Sequence, residues 1–515
     1  MEYLSFQDGI ESALGSDRLE PYRQSLKLAA LTQRGQGTLP TVLVVEPDPL
    51  DFLAATIAAI EVKAPVILGN PQWSVAEWQS LAEMHLVNPQ QGDQIWGQDP
   101  PVGFSPVGFS PVEFLPTGFL PTEFPPTGFP PVKFSSAPLL DSSPRLPPGA
   151  ILIATGGSGG LLRFAHHTWN TLRSAVEGLQ RSNLLPPQPL SACCLLPLYH
   201  VSGFMQFVRA LLTHGDLILS SSREILEAFK FNDRSLHPTP SRTGADSRTR
   251  AEDLLKRLPW EAYTLSLVPT QLHRFLAAMP PMGLDWLRRF ALIFVGGAAL
   301  SDPLRQQARA LQLPLAPTYG MTETAGMVAT LSPQAFLEGN ESVGRLLPHC
   351  QVQFVPTDVP TDVPTPEQGA LSGRIVIRAD SLALGYFPPD PYGEKGSLPT
   401  NDRGWIGADH FLYVAGRLDR VIISGGEKVN PEQVEAILLA SGLLTDVAIV
   451  GSPHLEWGEQ VVAFCVGVQD WPALKTIAFH RLSPPQRPKV WISLETLPRN
   501  DRGKLLRSEL LALIP

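Results

Sequence analysis

The sequence predicts an α/β protein in two parts, a large N-terminal domain of mixed sheets and helices over residues 1–418 and a small α+β domain over residues 419–515. Three observations carry this. Residues 40–70 alternate a strand-like run (TVLVVE), a helix-like run (DPLDFLAATIAAIE) and a second strand (PVILG), the rhythm of a parallel sheet. Strand-like runs recur at 193–198, 264–268 and 291–295, each followed by turn residues and a helical pattern. Past residue 419 the order changes to a helix (NPEQVEAILLA), two consecutive strands (DVAIVG, QVVAFCVGV) and a basic tail.

The 515 residues, 43% of them hydrophobic, can build sizeable cores. A net charge of -9 argues against a broad nucleic-acid or anionic-membrane surface and points to small-molecule substrates. Cys193, Cys194, Cys350 and Cys465 lack metal-ligand spacing. No signal-peptide pattern and no apolar run of roughly 18 residues is found, so the expectation is a cytoplasmic protein with no integral membrane segment and no nucleic-acid partner. Composition leaves room for a homo-oligomer without requiring one.

Taken along the chain, the first unusual element is a five-residue repeat between 101 and 134, with Pro and Phe recurring in every unit. A proline in each unit forbids a continuous hydrogen-bonded element, so an extended, polyproline-like insert is expected. Segments 232–250 and 356–367 read as further loops. Next comes ILIATGGSGGLLRFAHHT at 151–168, where a β-branched run ends in Thr155 and glycines stand at 156, 157, 159 and 160 around Ser158. Such a loop lets successive amides turn inward around phosphate oxygens, and the same residues read equally as a glycine turn. It follows a strand and precedes a helix, with Thr168 as the expected N-cap. Neither the Walker A nor the Rossmann spacing fits.

Later segments add chemistry. PTYGMTETAG at 317–326 follows FVGGAAL at 294–300: Tyr319 can stack on a base, Thr322 can bond a phosphate, and Glu323 can hold Mg²⁺, a hard cation. In TNDRGW and GRLDRVIISGGEKVNPEQVE, Asp402 can accept both ribose hydroxyls and Arg417 can donate to the same sugar. LPRNDRGKLLR places Lys504 in a glycine-flanked turn.

The ordered set of phosphate loop, YGMTE, GRLD, SGGE and PRNDRGK, from 151 to 507, resembles the acyl-adenylate-forming superfamily of acyl-CoA synthetases, luciferases and adenylation domains. The resemblance implies a large acyl-adenylate-forming domain with a mobile C-terminal domain. It implies activation of a carboxylate by ATP and Mg²⁺, then transfer to a thiol such as that of CoA. It assigns Thr155, Gly156, Gly157, Ser158, Gly159, Gly160 and Arg163 to the β/γ-phosphates, and Glu323 to the metal beside Thr322. Tyr319 goes to adenine with Gly296 and Gly297 next to it, and Asp402 and Arg417 to the ribose. Lys504 would bind the α-phosphate and the attacking carboxylate. Asp419 matches the hinge, and Gly425 and Gly426 the loop bordering the pantetheine tunnel. Two departures stand out: Arg163 replaces the usual lysine, and Asn401 replaces the glycine before Asp402, from which altered loop geometry is expected.

The acyl pocket should be lined by LPLYHVSGFMQFVRALLTHG at 196–215. Its His200, Ser202, Gly203 and Arg209, the TLSP at 330–333 and SLVPTQLHRFL at 266–276 are similar to the o-succinylbenzoate:CoA ligases of menaquinone and phylloquinone biosynthesis. A two-carboxylate aromatic acid needs one anionic end held while the other reacts. His200, Ser202 and Thr270 are candidate holders, with Gly320 and Met321 beside them; Arg209 reads either as a charge for the substrate or as a structural ion-pair partner. The alternatives are another aryl- or acyl-CoA ligase, or a non-catalytic nucleotide-binding protein whose repeat recruits partners.

Overall fold

The structure is a computed structural model. It describes residues 1–32, 40–73, 75–84, 94–97, 146–155, 162–182, 184, 189–230, 255, 257–356, 372–388, 396–424, 427–455, 457–500, 503 and 505–514. The Pro/Phe repeat, the 232–250 insert and all but the first residue of 356–367 lie outside the described residues.

The described strands form four sheets. The largest, of eight strands, has five parallel neighbours at its centre: Asp216–Leu219, Ser191–Cys194, Tyr263–Leu267, Leu292–Val295 and Leu315–Met321. Glu2–Ser5 closes one edge antiparallel. At the other, the chain doubles back through Gly326–Thr330. A six-stranded sheet contains Val42–Val45 and Val66–Leu68, parallel as the sequence predicts, next to Ala150–Ala154, Phe164–Thr168 and Tyr386–Phe387.

These strands read as unbroken apolar runs because both faces are buried. Val42 and Val44 face one core and Leu43 and Val45 the other, as period-two geometry requires. The first core is shared: Phe204, Phe207 and Val208 of the helix Val201–Thr213, and Leu172 and Val176 of the helix Trp169–Gln180, fill the space between the two sheets. The far face of the large sheet packs Trp260, Phe275, Trp286 and Leu304.

A four-stranded antiparallel sheet, Cys350–Val355, Ser372–Ala379, Leu398–Ile406 and Leu412–Arg417, sits against Leu292 and Phe294 through Ile375, Ile377 and Leu412. The last sheet lies within 422–494: Ile422–Ser424 and Glu427–Val429, then Asp446–His454 and Gly458–Val466, with Val490–Leu494 parallel to the latter. Its helix Pro431–Leu439 starts where the sequence places it, because Asn430 caps the Glu432 amide and Pro431 presets the first turn.

Three expectations need correction. The glycine-rich loop does not lead directly into a helix; it joins two antiparallel strands, Ala150–Ala154 and Phe164–Thr168, and the helix begins only after the second. Thr168 is nevertheless its N-cap, in a reciprocal capping box with Thr171. The strand expected at 193–198 is Ser191–Cys194, because the turn around Pro197 takes the remaining residues to the helix at Val201. TNDRGW is not a loop: it lies inside the strand Leu398–Ile406, since a sheet with partners on both sides overrides the turn propensity of Asn and Asp.

Candidate active site

The loops that carry chemistry leave the carboxyl ends of parallel strands, where crevices in such sheets form. Leu195–His200 follows Ser191–Cys194, Pro269 and Thr270 follow Tyr263–Leu267, and Gly296 and Gly297 follow Leu292–Val295. Thr155 follows Ala150–Ala154, and its amide and hydroxyl donate to the Arg163 carbonyl (2.8 and 3.1 Å), closing the neck of the glycine-rich loop. Gly156, Gly157, Ser158, Gly159, Gly160, Gly425, Gly426 and Lys504 lie outside the described residues.

Tyr319, Asp402, Arg417 and Asp419, far apart in sequence, come together. The Tyr319 hydroxyl donates to Asp402 Oδ2 at 2.7 Å, and Arg417 reaches Asp402 Oδ1 at 3.4 Å. Burial, reinforced by the Asp402 charge, pushes the Tyr319 phenol up, so it remains a donor. Arg417 also donates to Asp419 from Nε at 2.8 Å and from its terminal nitrogen. Burial alone would raise Asp419, but the hydrogen bonds from Arg417 outweigh it and hold the carboxyl below its usual range. Asn401 lies in the same group: its amide donates to Asp419 Oδ2 at 3.2 Å and accepts from Arg374 at 3.4 Å.

The second grouping is an acidic turn. Thr322–Thr324 is a single 3-10 turn following Leu315–Met321. The Tyr386 hydroxyl donates to Glu323 Oε1 at 2.8 Å, and the Arg163 guanidinium stacks 3.4 Å above the Tyr386 ring. His167 Nε2 lies 2.8 Å from the Thr322 carbonyl. Neither Tyr386 nor His167 was singled out by sequence reasoning: each belongs to a strand-like run without motif spacing, and only sheet pairing carries it to Glu323. Glu323 and Thr322 offer hard oxygen donors that suit Mg²⁺. Gly320 permits the bulged pairing of the two strands flanking the turn, since a Cβ there would stand 1.8 Å from the Gly326 carbonyl oxygen. Met321 is half-buried at the edge of the turn, its carbonyl accepting from Thr324.

The third grouping is on the helix Val201–Thr213. His200 is its buried N-cap, packed edge-on against Tyr199 at 4.5 Å. Gly203 is fixed by packing, because a Cβ would lie 2.1 Å from the Pro197 carbonyl oxygen. Ser202, Gln206 and Arg209 are spaced i, i+4 and i+7, a polar stripe on an otherwise apolar helix. Gln206 is wholly buried and donates to the Ser202 carbonyl; this residue, too, sequence reasoning passed over, although the spacing shows it. Arg209 is 6% exposed, donates from Nε to the Met205 carbonyl at 3.0 Å, and lies over the Phe294 ring. Burial lowers its pKa to about 10, still well above neutrality. Among the described residues no carboxylate pairs with it, so the structural ion pair is not found there. Thr270, half-buried, lies beside Gly503, whose neighbour in sequence is Lys504.

Among the described residues no His/Cys/Asp/Glu cluster could hold a metal by itself, and no helix is long and apolar enough to cross a membrane. A mixed α/β body, the carboxylate–guanidinium pair of Asp402 and Arg417, and an acidic turn linked through Tyr386 to Arg163 are the features of a nucleotide-dependent enzyme. Residues 243–387 match the family described as "AMP-binding enzyme" and residues 433–504 the one described as "AMP-binding enzyme C-terminal domain". Among curated proteins it is 26% identical over 362 residues to the 2-succinylbenzoate–CoA ligase of Lactococcus lactis, covering 70% of each chain. It is 28% identical over 373 residues to that of Geobacillus kaustophilus, covering 70% of this chain and 68% of the other. Its fold matches the o-succinylbenzoate CoA synthetase of Bacillus subtilis in complex with the acyl-adenylate intermediate (TM-score 0.66, 20% identity, 97% and 92% covered). It also matches ATP-bound MatB of Rhodopseudomonas palustris (TM-score 0.68, 19% identity, 95% and 92% covered).

Proposed function

We propose that the protein is an o-succinylbenzoate:CoA ligase, converting the acid, ATP and CoA to the thioester, AMP and pyrophosphate for naphthoquinone biosynthesis. The observation that carries the choice of acid is Arg209: a buried cation without a described carboxylate partner, aligned with Ser202 and Gln206. A buried charge of this kind is costly unless an anion joins it, and a dicarboxylic substrate supplies one at the end that does not react. The names of the curated relatives support the same acid.

In this reading one carboxylate of the substrate attacks the α-phosphorus of ATP, pyrophosphate leaves, and the CoA thiol then displaces AMP from the acyl carbon. Thr155, the glycine loop and Arg163 receive the β/γ-phosphates. Asp402 and Arg417 hold the ribose, and Tyr319 borders the adenine with Gly296 and Gly297. Glu323, with Thr322, would hold Mg²⁺, which neutralises phosphate charge when bound. His200, Ser202 and Thr270, with Gly203, Gly320 and Met321 shaping the walls, receive the acid. Lys504 offsets the charge that develops at the α-phosphate; the contact of Gly503 with Thr270 supports its placement over the acyl pocket. Asp419 is the hinge of a C-terminal domain running from 419 to 515, and Gly425 and Gly426 border the path of the CoA arm. The four free, buried cysteines support a reducing, cytoplasmic setting; burial pushes Cys194 up to about 11 and Cys350 and Cys465 to about 12, as suits inert core thiols.

The test is thioester formation with o-succinylbenzoate, ATP, Mg²⁺ and CoA, run beside benzoate and medium-chain acids. Strong preference for o-succinylbenzoate is expected, and equal turnover of all the acids would replace this reading with a general acyl-CoA ligase.

A further inference from the structure

The acidic turn is held from outside to a degree that the turn itself does not need. Thr322–Thr324 ends in Ala325 at φ 53°, a left-handed residue that bears a Cβ, and such a conformation persists only where the surroundings enforce it. All three carbonyls of the turn are tied. His167 Nε2 donates to that of Thr322, the Ala383 amide to that of Glu323 (2.8 Å), and the Ser381 hydroxyl to that of Thr324 (2.9 Å). Because a carbonyl only accepts, Nε2 carries the imidazole proton, which leaves Nδ1 to face the Thr171 hydroxyl at 3.0 Å.

The side chain of Glu323 is held as well. Tyr386 stands opposite Ala165 in antiparallel register, which brings its phenol to Glu323 Oε1, while Glu323 Oε2 accepts no hydrogen bond from a described residue. Arg163, at the exit of the glycine-rich loop, lies on the face of the same ring. One strand, Phe164–Thr168, therefore governs both the backbone of the turn through His167 and its carboxylate through the paired Tyr386.

We propose that His167 and Tyr386 are positioning residues that clamp the Thr322–Glu323 turn, anchoring one carboxylate oxygen of Glu323 so that the other faces the Mg²⁺ of bound ATP. This rests on the reading of Glu323 as the residue that meets the metal. Tyr386 acts through Glu323, and His167 acts through the backbone of Thr322.

The full chain is titrated with ATP by calorimetry at rising Mg²⁺, without any acid, so the readout is binding rather than turnover. Tyr386→Phe is expected to raise the Mg²⁺ concentration at half-saturation on the order of tenfold, the worth of one hydrogen bond to a charged group, and His167→Leu, which loses a bond to a neutral carbonyl, about fivefold. His167→Gln, which keeps a donor near the Nε2 position, should stay near wild type and shows that a loss in the leucine variant is not general misfolding. In a Glu323→Gln background, Tyr386→Phe should have no further effect on the Mg²⁺ dependence. Wild-type Mg²⁺ dependence in both Tyr386→Phe and His167→Leu, or an equal loss of ATP affinity without Mg²⁺, would overturn the proposal. Wild type that binds ATP identically with and without Mg²⁺ would instead overturn the reading of Glu323 on which it stands.

Discussion

His167 and His349 are buried imidazoles whose pKa values burial lowers to about 4. A base with a depressed folded pKa contributes stability above its unfolded pKa, near 6.5, and loses it as pH falls toward the folded value. Between about pH 6.5 and 4 each should therefore cost on the order of 3 kcal/mol as it is forced to charge. Denaturant midpoints measured across this range should fall steeply in wild type and less steeply in His167→Gln. Equal slopes would show that His167 does not titrate on unfolding. Arg209 belongs to the same scale: under the proposed function its partner is the substrate, so its removal should affect the substrate alone. Arg209→Met is expected to lower kcat/KM for o-succinylbenzoate on the order of 100-fold while leaving the KM for ATP near wild type. A matching loss in ATP affinity would return Arg209 to a structural role.

At the scale of elements, the helix Pro431–Leu439 shows the opposite pH behaviour. Glu435 accepts from the Ile449 amide at 2.8 Å, yet burial pushes its carboxyl up to about 7. An acid with a raised folded pKa gives stability below its unfolded pKa, near 4.3, and loses it as pH rises through about 7. Glu435→Gln should thus be more stable than wild type at pH 8 and no more stable near pH 4, checked by denaturant unfolding at the two values. Element boundaries also show which local rules survive packing. The cap at Thr168 was legible because capping is a transaction within a few residues. The strand at Leu398–Ile406 was not, because pairing with Ser372–Ala379 and Leu412–Arg417 overrides the turn residues within it. There Asn401, expected only to alter a loop, instead puts its amide on Asp419.

Across the whole molecule, the candidate site draws on three of the four sheets and on the C-terminal segment. Gly503, at φ 71°, stands against Thr270, more than two hundred residues earlier. If Lys504 acts over the acyl pocket, Lys504→Ala should reduce ATP–pyrophosphate exchange on the order of 100-fold or more. Transfer from a pre-formed acyl adenylate to CoA, measured separately, should be nearly unchanged. Loss of both half-reactions to the same degree would place the lysine in the stability of the C-terminal segment rather than in the first chemical step.

The sequence by itself determined the α/β class, the parallel pair at Val42–Val45 and Val66–Leu68, the ordered motifs, and Ser202 and Arg209 of the helix Val201–Thr213, though not Gln206 between them. These are set by periodicity and by short-range spacing, which a linear chain displays directly. Only the tertiary structure decided that Tyr319 and Arg417 meet at Asp402, that Arg209 has no described acidic partner, and that His167 and Tyr386 hold the acidic turn. The last depends on register between strands as distant as 164–168 and 386–387, and the first two on how sheets and helices pack against one another. That register is fixed by the packing of whole faces in shared cores, which no local pattern records.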